Sequence, residues 1–161
     1  MHHLSTWPGC VPTSTELPLR TIDLVADPKR PLRGLVDTSV VVDLEHLDAV
    51  QLPLELAVSA VTMAELAAGP HATGDPVERA RRQDRLQRAE AAFDPLPFDG
   101  EAARAYGRIY AAVVATGRKA RGARAVDLLI AATACAAGLP LCTRNPEDFR
   151  GLEDVLDVIA V

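Results

Sequence analysis

Four acidic residues of this sequence stand directly beside apolar segments, where an ionised side chain is costly to bury without a partner. They are Asp37, Glu65, Asp127 and Asp148. Carboxylates gathered at one place repel one another and raise one another's pKa values unless a cation lies between them. Oxygen ligands without histidine or cysteine select Mg²⁺, or Mn²⁺, rather than zinc. Such an ion suits phosphoryl chemistry, because it activates a bound water and offsets charge on a phosphate.

Each of these four positions also has a purely structural interpretation, which the residues leave open. Asp37 suits a turn or a helix cap, and Glu65 suits the solvent side of a short helix. Asp127 suits the N-cap of an apolar helix, and Asp148 suits a polar turn after Asn145. The metal hypothesis therefore depends on all four residues sharing one edge of the fold.

An alternation of strand-like and helix-like segments predicts how these residues meet. Strands are predicted at residues 35–36, 55–60, 139–143 and 155–160, with an extended edge segment at 93–98. Helices are predicted over residues 38–49, 62–68, 76–92, 100–116 and 127–137. This alternation favours an α/β fold with a mostly parallel sheet and helices on both faces. Ligands of such sheets bind beyond the carboxyl ends of the strands, where the strand order reverses.

The first part of the chain differs from the rest. Residues 1–33 are rich in proline and show no sustained periodicity, so we expect an extension with little regular structure before one domain of residues 34–161. The sequence contains no apolar run of membrane-spanning length and does not begin like a signal peptide, which predicts a cytoplasmic protein without membrane contact. Its three cysteines lack metal-type spacing and argue against a disulfide framework or a zinc site.

Four segments, taken in order, resemble those of the PIN-domain nucleases. They are Leu-Val-Asp-Thr-Ser at 35–39, Ser-Ala-Val-Thr-Met-Ala-Glu-Leu at 59–66, Asp-Leu-Leu-Ile-Ala-Ala at 127–132 and Thr-Arg-Asn-Pro-Glu-Asp-Phe at 143–149. The similarity covers about residues 34–161 and is greatest to the VapC-type toxins of bacterial toxin–antitoxin pairs. The resemblance implies a three-layer α/β/α sandwich and a Mg²⁺-dependent endoribonuclease acting on a structured RNA such as a tRNA or a ribosomal loop. It also implies a homodimer and a VapB-type antitoxin whose C-terminal segment enters the active-site groove, with DNA contacted only through that antitoxin.

The resemblance assigns a role to each acidic residue. Asp37 and Asp127 are expected to be the main metal ligands, and Glu65 to bind the metal directly or through water, or to orient the nucleophile. The fourth position is either Asp148 or Asn145; with Asn145 the site would have one charge fewer and would bind a second metal weakly. Supporting hydroxyl contacts are expected from Thr38 and Thr143.

The net charge of −5 would ordinarily count against a nucleic-acid partner, but the basic residues are concentrated in two clusters that can still bind phosphates. One cluster leads directly into Asp127 and is the expected RNA-phosphate contact, with a solvated loop as the alternative; it comprises Arg118, Lys119, Arg121 and Arg124. The other, at residues 79–88, is expected to be a solvated helix face or an antitoxin contact. Tyr106 and Tyr110 are expected in the core or in a dimer interface.

Two other α/β families also place an acid at the end of a strand, but this sequence lacks a residue that each of them needs. A receiver domain needs a lysine near a late strand, and the lysines here are Lys29 and Lys119. A haloacid-dehalogenase-type phosphatase needs a second aspartate two residues after Asp37, where Ser39 stands. Two alternatives remain: a catalytically idle PIN-like module that binds RNA or a partner, and a related DNA nuclease.

Overall fold

A four-stranded parallel sheet lies at the centre of the protein, seen in a computed structural model that describes residues 30–161, apart from the side chain of Ala123. Its strands are β1 (Arg33–Val36), β2 (Glu55–Ala57), β3 (Leu141–Thr143) and β4 (Val158–Ala160). They lie in the order β2-β1-β3-β4, and each neighbouring pair is parallel. The strand order reverses at β1, so the carboxyl ends of β1 and β3 border the crevice where ligands bind in such sheets. The predicted extension lies almost entirely outside the described residues.

Within the described residues, five α-helices surround the sheet. They are α1 (Thr38–Asp43), α2 (Ala60–Ala68), α3 (Pro76–Ala92), α4 (Gly100–Ala115) and α5 (Ala123–Ala136). Short 3₁₀ turns lie at Leu44–His46, Ala49–Gln51, Gly69–Ala72 and Pro146–Phe149. Asp37, Ser59, Asp75 and Asp99 cap the first four helices, each accepting a hydrogen bond from a backbone N–H of the first turn. Within residues 30–161, no helix is long and apolar enough to cross a bilayer.

Alternate residues of the strands point to opposite faces of the sheet and form two separate cores. Leu35 and Leu141 pack on one face with the buried side chains of α4 and α5, among them Ile109 and Leu128. The other face is covered by α1, α2 and α3, and its core comprises Val36, Val40, Val58, Leu66, Leu86 and Cys142, with other buried residues. The architecture is the α/β/α sandwich that the sequence predicts.

The largest differences between the predicted and the observed helix boundaries are at the end of α1 and the start of α5. The first helix was predicted to extend to residue 49, but α1 ends at Asp43 because the following residues fold into 3₁₀ turns. Asp48 stabilises the second of these turns by accepting a hydrogen bond from the Val50 N–H at 3.0 Å. The last helix was predicted to begin at Asp127, but α5 begins at Ala123, directly after Gly122, whose φ of +67° suits glycine.

Strands β2, β3 and β4 are shorter than the sequence predicts and β1 is two residues longer, whereas two helices closely match the prediction. Helix α3 coincides with predicted residues 76–92, and α4 lacks only the last residue of 100–116. The predicted strand 155–160 pairs only at Val158–Ala160, because the preceding residues form a turn in which Leu152 and Leu156 are buried. The extended segment 93–98 contributes one isolated parallel bridge, between Leu96 and Ser59.

Candidate functional site

Asp37 lies at the carboxyl end of β1, where the strand order reverses, and its side chain is only 6% exposed. Its Oδ1 accepts hydrogen bonds from the Val40 N–H at 3.0 Å and the Ser39 hydroxyl at 2.6 Å. Its Oδ2 accepts one from the Thr143 hydroxyl at 2.6 Å, across the gap to the end of β3. Asp37 is therefore the cap of α1, in agreement with its structural interpretation. It is also a buried carboxylate in the predicted ligand crevice.

Glu65 lies on α2 and faces the same crevice. Its Oε2 accepts a hydrogen bond of 2.5 Å from the Thr38 hydroxyl at the start of α1, and the side chain is partly buried. The alternative position on the solvent face of the helix is therefore wrong for this residue. The contact brings α1 and α2 together at the edge where Asp37 lies.

Asp127 lies in the second turn of α5 and is not its N-cap, so the capping interpretation is wrong. The cap position is Gly122, which offers no side-chain acceptor. Among residues 30–161, no group donates a hydrogen bond to the Asp127 carboxylate, although the side chain is partly buried. An acid in such surroundings is destabilised in its charged form.

The pKa of Asp127 shows which charges surround it. Burial, followed by the nearby carboxylates of Asp148, Glu65 and Asp37 in that order, raises this pKa from 3.8 to about 6. Arg124 opposes the increase. The structure therefore brings the other three predicted acids within electrostatic reach of Asp127, from three other segments of the chain.

Asp148 and Asn145 lie on the segment that follows β3. Asp148 is an exposed residue of the turn Pro146–Phe149, and its Oδ1 is 4.0 Å from a terminal nitrogen of Arg124. The Asn145 N–H donates to the Thr143 hydroxyl at 2.9 Å, so its backbone is fixed beside Asp37. Asp148 is the foremost of the charges that raise the pKa of Asp127, which indicates that its carboxylate lies near that of Asp127. Because Asn145 is uncharged, the choice between these two residues for the fourth position stays a prediction.

The donor set determines which ion these residues suit. Carboxylates and hydroxyls line the crevice without histidine or cysteine, and the raised pKa of Asp127 indicates negative charge that a divalent cation would neutralise. In the described part of the chain, no three histidine, cysteine or acidic side chains are arranged so that they could hold an ion as they stand. The donor types therefore fit Mg²⁺ or Mn²⁺, and the carboxylates would have to move closer together to coordinate it.

The four basic residues before Asp127 have different surroundings. The Arg118 guanidinium donates to two backbone carbonyls, those of Glu147 and Arg150, at 2.9 Å each. Arg124 is mostly buried beside Asp148, with 23% of its side chain exposed. Lys119 and Arg121 are exposed and make no ion pair with other residues of the 30–161 segment.

Two arginines of α3 reach the crevice, which the sequence did not predict. Arg82 and Arg85 line a cleft of about 260 Å³ together with Thr38 and Glu65. Arg82 is held by the Glu78 carboxylate at 2.8 Å and the Gly69 carbonyl at 3.1 Å. Arg85 forms no ion pair among the described residues. Their helical spacing from the buried Leu86 and Ala89 was the available signal, because residues three and four apart share a face.

A second cleft adjoins the first at Thr38 and was also missed. It has a volume of about 350 Å³ and is lined by Thr38, Ser39, Val42, Asp43, Arg144 and Asn145. Arg144 forms an ion pair with Asp43 there. The Arg144 N–H also donates to the Ser39 hydroxyl at 3.2 Å, which ties the segment after β3 to the start of α1.

Comparison with known proteins gives one consistent family. The family model of the PIN domain matches residues 34–154. Ribonuclease VapC5 of Mycobacterium tuberculosis (strain ATCC 25618 / H37Rv) is 35% identical over 131 residues, which are 80% of this chain and 93% of that protein.

Solved structures agree with the sequence comparison. A crystal structure of VapBC-5, a member of the VapBC family of toxin-antitoxin systems from Mycobacterium tuberculosis, matches with a TM-score of 0.70 and 34% identity over 81% of this chain and 98% of its own. FitAcB from Neisseria gonorrhoeae matches with a TM-score of 0.60 and 26% identity over 78% and 95% of the two chains. This chain therefore belongs to the PIN domain family, and within it is similar to the VapC proteins of VapBC toxin-antitoxin systems.

Proposed function

We propose that this protein is a Mg²⁺-dependent endoribonuclease, with Mn²⁺ as a substitute, and the toxin of a VapBC-type toxin–antitoxin pair. The observation that carries the proposal is the cluster of Asp37, Glu65 and Asp148 around Asp127, with a pKa of about 6 for Asp127. Carboxylates that repel one another at the ligand crevice of a parallel sheet are a costly arrangement, which a bound cation relieves. Similarity to a protein named a ribonuclease supports the same reaction class.

Asp37 and Asp127 would hold the ion, with Glu65 and Asp148 completing the site directly or through water. When bound, Mg²⁺ lowers the pKa of a coordinated water and offsets the charge that develops on the phosphate. Asn145 and the hydroxyl of Thr143 would support this arrangement at the end of β3.

The hydroxyl groups of the site keep two of the carboxylates in place. Thr143 and Ser39 each donate to a different oxygen of Asp37, and Thr38 donates to one oxygen of Glu65. Within the described residues, the other Glu65 oxygen accepts no hydrogen bond, so it can accept one from the attacking water. Arg124 offsets part of the negative charge at Asp127 and Asp148.

The RNA would follow two groups of basic residues near the acidic cluster. Arg82 and Arg85 line the cleft beside Glu65, and Arg124 lies beside Asp148 and Asp127. Lys119 and Arg121, exposed in the segment just before α5, would extend the second group. Contacts of this kind bind phosphates without reading base sequence, which suits a nuclease that selects a structured RNA by shape. A tRNA or a ribosomal loop is the substrate class that we propose.

The proposal includes the partners that the VapBC relatives suggest. A VapB-type antitoxin would cover the active-site groove, and DNA would be contacted only through that antitoxin. The homodimer would use the outer face of α4, where Tyr110 is 43% and Val114 is 50% exposed, one helical turn apart. The protein would act in the cytoplasm.

The test is cleavage of total bacterial RNA by the purified protein, freed of antitoxin, in Mg²⁺ or Mn²⁺. We expect discrete fragments that disappear with EDTA and with Asp127→Asn. Asp94→Asn is the matched control, because it removes an exposed carboxylate outside the site and should leave the fragments unchanged. End mapping of the fragments identifies the substrate.

The other results of this assay would overturn the proposal in distinct ways. RNA binding without metal-dependent cleavage, from folded protein and across several RNA sources, would indicate an idle binding module. Cleavage of matched DNA strands in preference to RNA would indicate a DNA nuclease. Calorimetric titration separates the idle module further, since such a module need not bind Mg²⁺.

A further inference from the structure

The turn that carries Asp148 is attached to the connection between α4 and α5, residues 116–122. One terminal nitrogen of Arg118 donates to the Arg150 carbonyl and the other to the Glu147 carbonyl, both at 2.9 Å. These two carbonyls lie on either side of Asp148 in the sequence. A planar guanidinium with two parallel donors suits such a bridge, which a lysine ammonium cannot reproduce.

A second contact joins the same two segments. Gly151 has a φ of +93°, and a Cβ at this position would lie 2.7 Å from the Thr116 Cγ2 atom. The backbone at Gly151 therefore packs against Thr116 with no room for a side chain. We call the contacts of Thr116 and Arg118 with Glu147, Arg150 and Gly151 the Arg118 clasp.

Within the turn, Phe149 is buried in the core, whereas Glu147, Asp148 and Arg150 are exposed. The internal backbone hydrogen bonds of the turn are those from the Asp148 N–H to the Asn145 carbonyl at 3.0 Å and from the Arg150 N–H to the Glu147 carbonyl at 3.4 Å. The second of these is long for a hydrogen bond. Phe149 therefore anchors one end of the turn in the core, and the Arg118 clasp holds the two carbonyls on either side of the exposed Asp148.

We propose that Arg118 is a positioning residue, which acts through the clasp to hold Asp148 at the acidic site. This differs from the phosphate contact expected from the sequence, because both terminal nitrogens of Arg118 already donate to carbonyls. The role depends on the proposed function, in which Asp148 belongs to the cation site. Lys119 and Arg121 remain the members of the cluster whose charges are exposed to RNA.

Electrostatics alone predicts the opposite effect of removing Arg118 on cation affinity. Removing a positive charge near a cation site should strengthen cation binding. If Arg118 acts by positioning Asp148, its removal should instead weaken cation binding. The sign of the change therefore distinguishes the two roles.

The experiment is calorimetric titration of Mn²⁺ into the wild-type protein and into Arg118→Ala, Arg118→Lys and Arg121→Ala. We expect Arg118→Ala to weaken Mn²⁺ binding about tenfold, the lower end of the effect of groups that orient metal ligands. Arg118→Lys should restore only part of the affinity. Arg121→Ala, which removes the same charge without breaking the clasp, should leave Mn²⁺ affinity unchanged or slightly tighter and should weaken RNA binding.

Two further variants test whether a loss of Mn²⁺ affinity results only from a folding defect. Gly151→Ala disturbs the same contact without changing charge and should also weaken Mn²⁺ binding. In an Asp148→Asn background the effect of Arg118→Ala on Mn²⁺ affinity should largely vanish, since both changes act on the same ligand. Thermal unfolding of each variant verifies that it is folded.

Each remaining outcome contradicts one of the two proposals. Unchanged or tighter Mn²⁺ binding by Arg118→Ala would overturn the positioning role, as would an equal effect of Arg118→Ala in the Asp148→Asn background. Wild-type protein that binds no Mn²⁺ would overturn the proposed function, and this role of Arg118 with it.

Discussion

Replacing Asp127 by asparagine should stabilise the protein in the absence of metal while abolishing its activity. The pKa of Asp127 is raised from 3.8 to about 6 by burial and by three neighbouring carboxylates. That difference corresponds to about 3 kcal/mol of destabilisation of the charged folded form. Because the side chain is only partly buried, solvent screening reduces the effect, and we expect about 1.5 kcal/mol.

The pH dependence of this effect has a definite sign. A folded-state pKa above the unfolded value means that the destabilisation is absent below about pH 4 and complete above about pH 6. Asparagine carries no charge at any pH and avoids it. The stability difference between Asp127→Asn and wild type should therefore be greatest at neutral pH and should shrink toward zero as the pH falls from 6 to 4.

The assay is thermal or urea unfolding in EDTA at pH 7.5 and at pH 4.5. At pH 7.5 we expect the melting temperature of Asp127→Asn to exceed that of wild type by about 4 °C. Saturating Mn²⁺ should reverse the order, because an ion that binds only the folded wild-type site stabilises it. Asp94→Asn is the control for the loss of one negative charge and should raise the melting temperature much less.

Two results would refute this reasoning. One is an Asp127→Asn variant that is no more stable than wild type in EDTA at pH 7.5. The other is an equal increase in Asp94→Asn, which would attribute the effect to net charge rather than to the acidic cluster.

Four further predictions concern other parts of the site and surface. Mn²⁺ affinity should fall about tenfold for each pH unit below about 6, because Asp127 must lose its proton to bind the ion; calorimetry that finds constant affinity from pH 5 to pH 8 would contradict this. Thr143→Val leaves a buried Asp37 oxygen without its 2.6 Å hydrogen bond and should lower the urea unfolding free energy by about 1–3 kcal/mol, whereas Thr143→Ser should retain most of it. Arg85→Ala should raise the KM for RNA about fivefold with little change in kcat, while Arg81→Ala, exposed on the same helix, should not; equal KM values would remove Arg85 from the RNA path. Tyr110→Glu should convert the proposed dimer to a monomer in light scattering, and a variant that remains dimeric would place the interface elsewhere.

Helix boundaries that depend on the local sequence pattern are the best predicted. Helix α3 begins after Asp75, whose side chain accepts from the Val77 N–H, and ends after an unbroken run of good helix formers, so both boundaries were predictable. The start of α5 was not, because the helix lacks a side-chain cap and begins directly after Gly122. That error made Asp127 look like a cap, although it lies one turn further into the helix.

The acidic site was predictable in its residues but not in its contacts. Asp37 and Glu65 stand out because charge interrupts apolar segments, which is a local signal. The guanidinium of Arg118 is occupied by carbonyls 29 and 32 residues away, and nothing in the local pattern separates it from Arg121. Likewise, Arg85 looks like part of a solvated face until the packing of α3 against the second core turns it toward Glu65.

The hydrogen bond between Thr143 and Asp37 joins residues 106 positions apart. No partly folded chain that lacks the pairing of β1 with β3 can bring these two residues together. Closing so long a loop carries a large entropic cost, and parallel pairings between distant segments form slowly. The acidic cluster is thus a property of the completed sheet, and during refolding the recovery of RNA cleavage should lag behind the recovery of helical circular dichroism. A chain that is still folding would carry all the residues of a nuclease and none of its activity.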